Sequence, residues 1–141
     1  MTKKSPKPMS EAELLASDPK DYMNEAQLAF FRQRLLDMKA ELVNNAANTA
    51  EHLREMTIPS DPADRATLEE EYALELRTRE RERKLLSKVE GALRRIDDES
   101  YGYCEETGEP IGLPRLLARP TATLTIDAQE RRERSQKAFA D

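Results

Sequence analysis

The sequence holds one cysteine, one histidine, no tryptophan and four glycines in 141 residues, and aromatic side chains make up only 5%. Each shortage excludes something. A single thiol, Cys104, can form no intrachain disulfide, which fits a reducing compartment. There is no glycine-rich phosphate loop, no nucleophile with a histidine partner and no cluster of metal ligands, so an enzyme is not expected. Mean hydropathy is −0.83, and no apolar run approaches the roughly 18–20 residues that a membrane span needs. The first ten residues carry three lysines and no apolar stretch, so no secretory leader is expected and the chain is read as cytoplasmic. With so few aromatics, a large compact core is out of reach.

Charge is what the chain has in quantity. Charged residues are 36% of it, with 23 Lys and Arg against 28 Asp and Glu, a net charge of −5. That balance disfavours DNA binding as the main activity, because phosphate neutralisation needs a net basic surface. A chain of this length and composition suits one domain made of long helices that expose most of their side chains.

Four segments follow from the punctuation. Residues 1–22 are polar and contain prolines; a short helix is expected over Glu11 to Ala16, with Ser10 as its N-cap. From Asn24, another N-cap, apolar residues recur at Leu28, Phe31, Leu35, Met38 and Leu42, the 3-4 spacing of a heptad seam. The seam weakens at Asn45, Thr49 and His52 and closes with Leu53 and Met56. This predicts a helix over about Glu25 to Thr57. Ile58, Pro59, Ser60, Asp61 and Pro62 break it, because two prolines so close cannot sit inside a helix. Asp61 then reads as an N-cap with Pro62 in the first turn, and Asp64 supports that turn through the helix dipole.

A second long helix is predicted from about Pro62 to Glu99, with a seam of Leu68, Tyr72, Leu86, Val89, Leu93 and Ile96. Its middle is nearly all charge, and Glu75 with Arg79 and Glu80 with Lys84 are expected to pair along one face. Two such helices joined by a tight turn run antiparallel, as a coiled-coil hairpin roughly 50 Å long. The hairpin satisfies its own seam, which predicts a monomer. The expected fold is therefore mainly α: a hairpin over 23–100 with its tip at 58–66, a lobe at 101–127 and a C-terminal helix at 128–141. Residues 1–22 are expected to pack near the lobe. Gly102 is assigned to the end of the second helix, Leu113 to Ala118 to a short helix or turn, and Thr123 to Ile126 to a short strand. Asp127 is assigned to the cap of the last helix. The lobe is expected to be held by Tyr101, Tyr103, Ile111, Leu113, Leu116, Leu117, Leu124, Ile126 and Phe139.

The lobe has the spacing of a zinc finger without its ligands. Cys104-x-x-Thr107 and Thr125-x-x-Ala128 are separated by 17 residues. Four cysteines there would be a strong structural zinc signature, but one thiolate cannot hold the ion. No zinc and no tightly bound cofactor are expected. Cys104 reads as a buried small hydrophobe, or as a redox-sensing thiol if its pKa is lowered.

Residues 61–66 at the tip, the run from Leu74 to Leu85, and the stretch from Cys104 to Ala128 with Ile111, Arg115 and Pro120 at their spacing together resemble the DksA/TraR family of bacterial transcription factors. The nearest likeness is its zinc-independent type, with three of four finger cysteines replaced. The resemblance implies binding to RNA polymerase at the secondary channel, without reading DNA, and control of initiation. With ppGpp as shared effector, such factors repress ribosomal RNA promoters and activate some amino-acid biosynthesis promoters in the stringent response. It implies that Asp61, Asp64 and Ala66 act near the polymerase centre and are needed for activity but not for docking. The ppGpp contacts implied are Thr78, Arg81, Leu85, Lys88 and Gln129. Asparagine is frequent in the family at the Thr78 position and lysine at the Gln129 position, so the ppGpp response is expected to be weaker or to use Arg131. Arg115 with Arg131, Arg132 and Arg134 are the implied polymerase-docking residues.

Each of these has a blander reading. Asp61 and Asp64 also serve their helix as cap and first-turn acid, Arg81 and Lys88 also fit a solvated charged face, and Arg115 also fits a loop-stabilising ion pair. Two other functions suit the architecture. A Gre-type transcript cleavage factor would use tip acids to hold Mg²⁺. A coiled-coil adaptor or chaperone would leave the finger spacing unexplained.

Overall fold

The computed structural model describes residues 9–140; the first eight residues of the expected N-terminal segment, and Asp141, lie outside them. The elements are α1 (Glu11–Leu15), a 3-10 turn (Pro19–Asp21), α2 (Glu25–Glu55), α3 (Pro62–Asp97), α4 (Leu113–Ala118) and α5 (Ile126–Ala140). The architecture is mainly α: a long antiparallel coiled-coil hairpin, a small zinc-finger-like lobe and a C-terminal helix. Among the described residues the only β feature is a single bridge between Tyr103 and Pro110. The chain divides into two compact units, one of residues 36–90 and one of residues 9–35 with 91–140.

In the 36–90 unit, α2 ends at Glu55 and α3 starts at Pro62, so the break matches the two prolines. Asp61 caps α3: its Oδ1 accepts from the Ala63 N–H at 2.9 Å, and its carbonyl accepts from the Arg65 N–H at 2.9 Å. Leu42 and Val89 are buried in the seam, each contributing on the order of 1.5–3 kcal/mol of apolar burial. Further along, the seam turns polar. Asn45 and Thr49 on α2, and Glu75, Thr78 and Glu82 on α3, are half-buried.

The register of α3 differs from the expected one. Tyr72 is 42% exposed, while Leu68, Glu75, Thr78, Glu82, Leu85 and Val89 follow the heptad. The charge pairs differ too. Glu75 Oε1 lies 3.2 Å from His52 Nδ1, and Glu80 pairs with Arg83 at 2.7 Å, one residue short of Lys84. A glutamate in the seam faces the opposite helix, so it finds a cross-helix partner before an i,i+4 one.

In the other unit, Ser10 caps α1, its Oγ accepting from the Glu13 N–H at 3.1 Å. Asn24 caps α2 by accepting from the Gln27 N–H, and Gln27 Oε1 accepts from the Met23 N–H, both at 2.9 Å. This reciprocal arrangement resembles a capping box. Leu14 of α1 and Leu116 of α4 are wholly buried, and α1 packs on α4. Phe31, Leu35, Ala92, Ile96, Tyr101, Cys104, Ile111, Ala122, Leu124 and Ala128 are buried with them. The Tyr101 hydroxyl donates to the Pro120 carbonyl at 2.7 Å. Of the residues expected to hold the lobe, Tyr103, Ile126 and Phe139 are exposed instead, Phe139 at 90%.

Three boundaries are corrected. Helix α3 ends at Asp97, and the left-handed residue that closes it is Glu99, with φ 66°. The Ser100 N–H bonds the Arg95 carbonyl at 2.9 Å and the Glu99 N–H bonds the Ile96 carbonyl at 3.3 Å, the pair that defines a Schellman end. Gly102 lies three residues beyond, with φ 90°, and its missing side chain makes room for Met23: a Cβ there would meet the Met23 sulfur at 2.7 Å. The expected strand over Thr123 to Ile126 does not form. Its residues favour extended backbone, but among the described residues no second strand pairs with them, and Ile126 is already helical. The cap of α5 is Thr125 rather than Asp127. Thr125 Oγ1 accepts from the Ala128 N–H at 3.2 Å, which leaves Asp127 in the first turn.

Candidate functional site

The end of the loop between α2 and α3 and the first turns of α3 present Asp61, Asp64 and Ala66, all exposed. One carboxylate oxygen of Asp61 is committed to the cap, so the local role is real; the second oxygen and the whole Asp64 carboxylate remain available to a partner. Further along α3, Thr78, Arg81, Leu85 and Lys88 follow a 3-4-3 spacing along one side of the helix. Thr78 and Leu85 are half-buried in the seam, and Arg81 and Lys88 are exposed beside it. In the same unit an open cleft of about 380 Å³ is lined by Thr49, His52, Glu75 and Thr78 among others.

Gln129, Arg115 and the α5 arginines belong to the other unit. Gln129 is half-buried, and its Nε2 donates to Glu133 Oε1 at 3.0 Å. The Arg115 Nε donates to the Leu124 carbonyl at 2.9 Å; it holds the loop through backbone and not through an ion pair. Arg132 pairs with Glu106 at 2.7 Å. Arg131 and Arg134 are exposed on α5. Between α5 and the turn at Glu106 and Thr107 runs an open groove of about 830 Å³, lined also by Arg131, Arg132 and Phe139.

The four finger positions come together. The Thr125 hydroxyl approaches the Cys104 sulfur at 3.9 Å, and Ala128 is wholly buried. Burial pushes the Cys104 thiol up, but hydrogen bonds to the sulfur from the Thr107 hydroxyl and from the backbone of Thr125, Thr107 and Glu106 outweigh it, and the pKa falls to about 7. The turn after Cys104 therefore keeps the backbone geometry that stabilises a thiolate, with hydroxyls where two of the other thiolates of a finger would stand.

Two features were not anticipated. Tyr22 joins distant loops: its hydroxyl donates to the Gly102 carbonyl at 2.6 Å and accepts from the Gly112 N–H at 2.9 Å. Its ring meets Tyr103 edge-on, and burial pushes its phenol up. Gly102 and Gly112 were visible in the sequence, but nothing there points to a partner 80 or 90 residues away. The His52–Glu75 pair was the other, and a lone histidine at a seam position was its only signal.

Comparison with known proteins settles the family. The chain matches the model of the DnaK suppressor protein DksA N-terminal domain over residues 27–96, and that of the prokaryotic dksA/traR C4-type zinc finger over residues 99–134. The chain belongs to the DksA family. It is 54% identical over 126 residues to the RNA polymerase-binding transcription factor DksA of Caulobacter vibrioides, covering 89% of each chain. It is 47% identical over 121 residues to the Escherichia coli K12 protein of that name, covering 85% of this chain and 80% of that one. The solved structure of transcription factor DksA2 from Pseudomonas aeruginosa superposes with a TM-score of 0.81 at 50% identity, covering 91% of this chain and 99% of that chain. The DksA family is one of transcription factors, not of known enzymes.

The C4 finger of the family implies zinc, and the residues here do not fit it. One thiol, two hydroxyls bonded around it and a buried methyl group offer no tetrahedral set of soft ligands. Among the described residues no group of three His, Cys, Asp or Glu could hold a metal ion. None of the described helices is long and apolar enough to cross a membrane.

Proposed function

We propose that this chain is a transcription factor that binds RNA polymerase through its secondary channel and, with ppGpp, modulates initiation, repressing ribosomal RNA promoters and activating some amino-acid biosynthesis promoters. The observation that carries the reading is the match, over 89% of the chain, to a protein named as an RNA polymerase-binding transcription factor. The hairpin loop supports it, because Asp61 and Asp64 are exposed beside a rigid pair of prolines. In this reading Asp61, Asp64 and Ala66 act at the polymerase centre. Thr78, Arg81, Leu85, Lys88 and Gln129 contact ppGpp. Arg115, Arg131, Arg132 and Arg134 dock on polymerase, with the groove beside α5 as part of that face. The Gln129–Glu133 bond is a reason to expect a weakened ppGpp contact, since the amide is already engaged and carries no charge.

The division of labour follows the segments: residues 9–22, the described part of the N-terminal segment, pack near the lobe, the hairpin over 23–100 is the probe with its tip at 58–66, and 101–127 and 128–140 hold the rim. The factor works in the cytoplasm, where bacterial polymerase is, as a monomer. It has no catalytic role and needs no zinc or other bound cofactor. Transcription in vitro from a ribosomal promoter, with and without ppGpp, is the test. The wild-type chain represses, and ppGpp deepens the effect. Asp64→Asn keeps polymerase affinity and loses repression, and Arg81→Ala loses the response to ppGpp. Normal regulation by Asp64→Asn overturns the tip assignment. Cleavage of the transcript in a backtracked complex would instead make the chain a Gre-type factor.

A further inference from the structure

The loop that carries Asp61 and leads into the turn with Asp64 also carries Ile58, which is 78% exposed. Single exposed apolar side chains are ordinary on a protein surface, so exposure alone says little. Three local facts set this one apart. Among residues 57–67 it is the only large apolar side chain, and every neighbour in that stretch except Pro59 is exposed and small or polar. Met56, two residues before, and Pro59, directly after, are half-buried, so the loop turns those two inward and leaves Ile58 outside with Thr57. Finally, Ile58 precedes a proline. A pre-proline residue is confined to extended backbone, and a β-branched side chain is stiff at χ1. Ile58 is thus held in place before any partner arrives, and ordering it on binding loses little entropy.

We infer that Ile58 is an apolar anchor of the hairpin loop, seated on binding in an apolar recess of RNA polymerase that is flanked by basic groups. The basic flank is the complement of Asp61 and Asp64, three and six residues further on in the same loop and first turn. An apolar centre with a polar rim is the general anatomy of a protein–protein interface. The inference rests on the polymerase reading above and deepens it: the loop then contributes to docking by shape and burial at Ile58, while Asp61 and Asp64 serve activity.

The test uses the full chain, with binding to core polymerase and repression of a ribosomal promoter measured on the same samples. Ile58→Ser keeps the pre-proline backbone and removes the apolar surface. It is expected to leave the melting temperature unchanged and to raise the concentration for half-maximal repression about tenfold. Ile58→Leu keeps the apolar bulk and stays within about twofold of wild type. Ile58→Ser indistinguishable from a wild-type chain that binds and represses overturns the anchor and leaves the polymerase reading standing. Failure of the wild-type chain itself to bind polymerase overturns both.

Discussion

At the scale of single residues, the side chains that matter most to the lobe are those that bridge backbone from distant parts of the chain. Tyr22 satisfies a carbonyl and an N–H at once. Replacing it with phenylalanine keeps the ring and strands the Gly112 N–H, which is expected to lower stability by about 1–3 kcal/mol in urea unfolding. Cys104 makes a prediction about pH. Its folded pKa of about 7 lies below the ordinary value of 9.0, so the unfolded chain holds the proton more tightly. Stability from this group is fully present above the unfolded value and is lost as pH falls through the folded one. Unfolding midpoints of wild type measured against Cys104→Ser are therefore expected to diverge as pH rises from about 7 to about 9, in favour of wild type. Parallel curves would show that the sulfur titrates as an ordinary thiol.

At the scale of elements, the hairpin is unevenly held. Leu42 and Val89 are buried, whereas the stretch through Asn45, Thr49, His52, Glu75 and Thr78 joins the helices with polar groups. Local opening follows the density of apolar contacts. Amides of residues 45–52 and 75–82 are expected to exchange hydrogen faster than those around Leu42 and Val89, as read by mass spectrometry or NMR. Local signals were the legible ones. The caps Ser10, Asn24 and Asp61, the proline break and the seam from Leu28 to Leu42 all depend on neighbours within a turn or two, and the structure has them where the pattern put them. The failures have physical causes. Thr123 to Ile126 has the composition of a strand, but strandness requires a partner that composition cannot supply. Glu99 adopts the left-handed conformation that glycine would take more easily, so the glycine rule pointed to Gly102, whose real task is to admit Met23. Tyr72 looked like a seam residue because it is apolar, while the register actually passes through Glu75 and Thr78. Of the site, the exposed acids and the finger spacing were readable, but the convergence of Cys104, Thr107 and Thr125 into one hydrogen-bonded cluster was not.

At the scale of the whole molecule, the lobe is closed by side chains around positions that in a C4 finger would be closed by an ion. Tyr101 fixes Pro120, Arg115 fixes Leu124, and Thr125 starts α5. A chelator such as EDTA is expected to leave the melting temperature of the full chain unchanged, and a clear drop would mean that a metal takes part after all. The two compact units also differ in how the chain composes them. Residues 36–90 are contiguous, whereas the other unit joins 9–35 to 91–140, and Tyr22 waits for Gly102 and Gly112. During synthesis the hairpin segment has all its parts while the ribosome is still making the finger region. The segment ahead of it has to stay unpaired until the last third of the chain emerges. Birth order therefore runs against sequence order: the middle of this protein can fold first, and its beginning last.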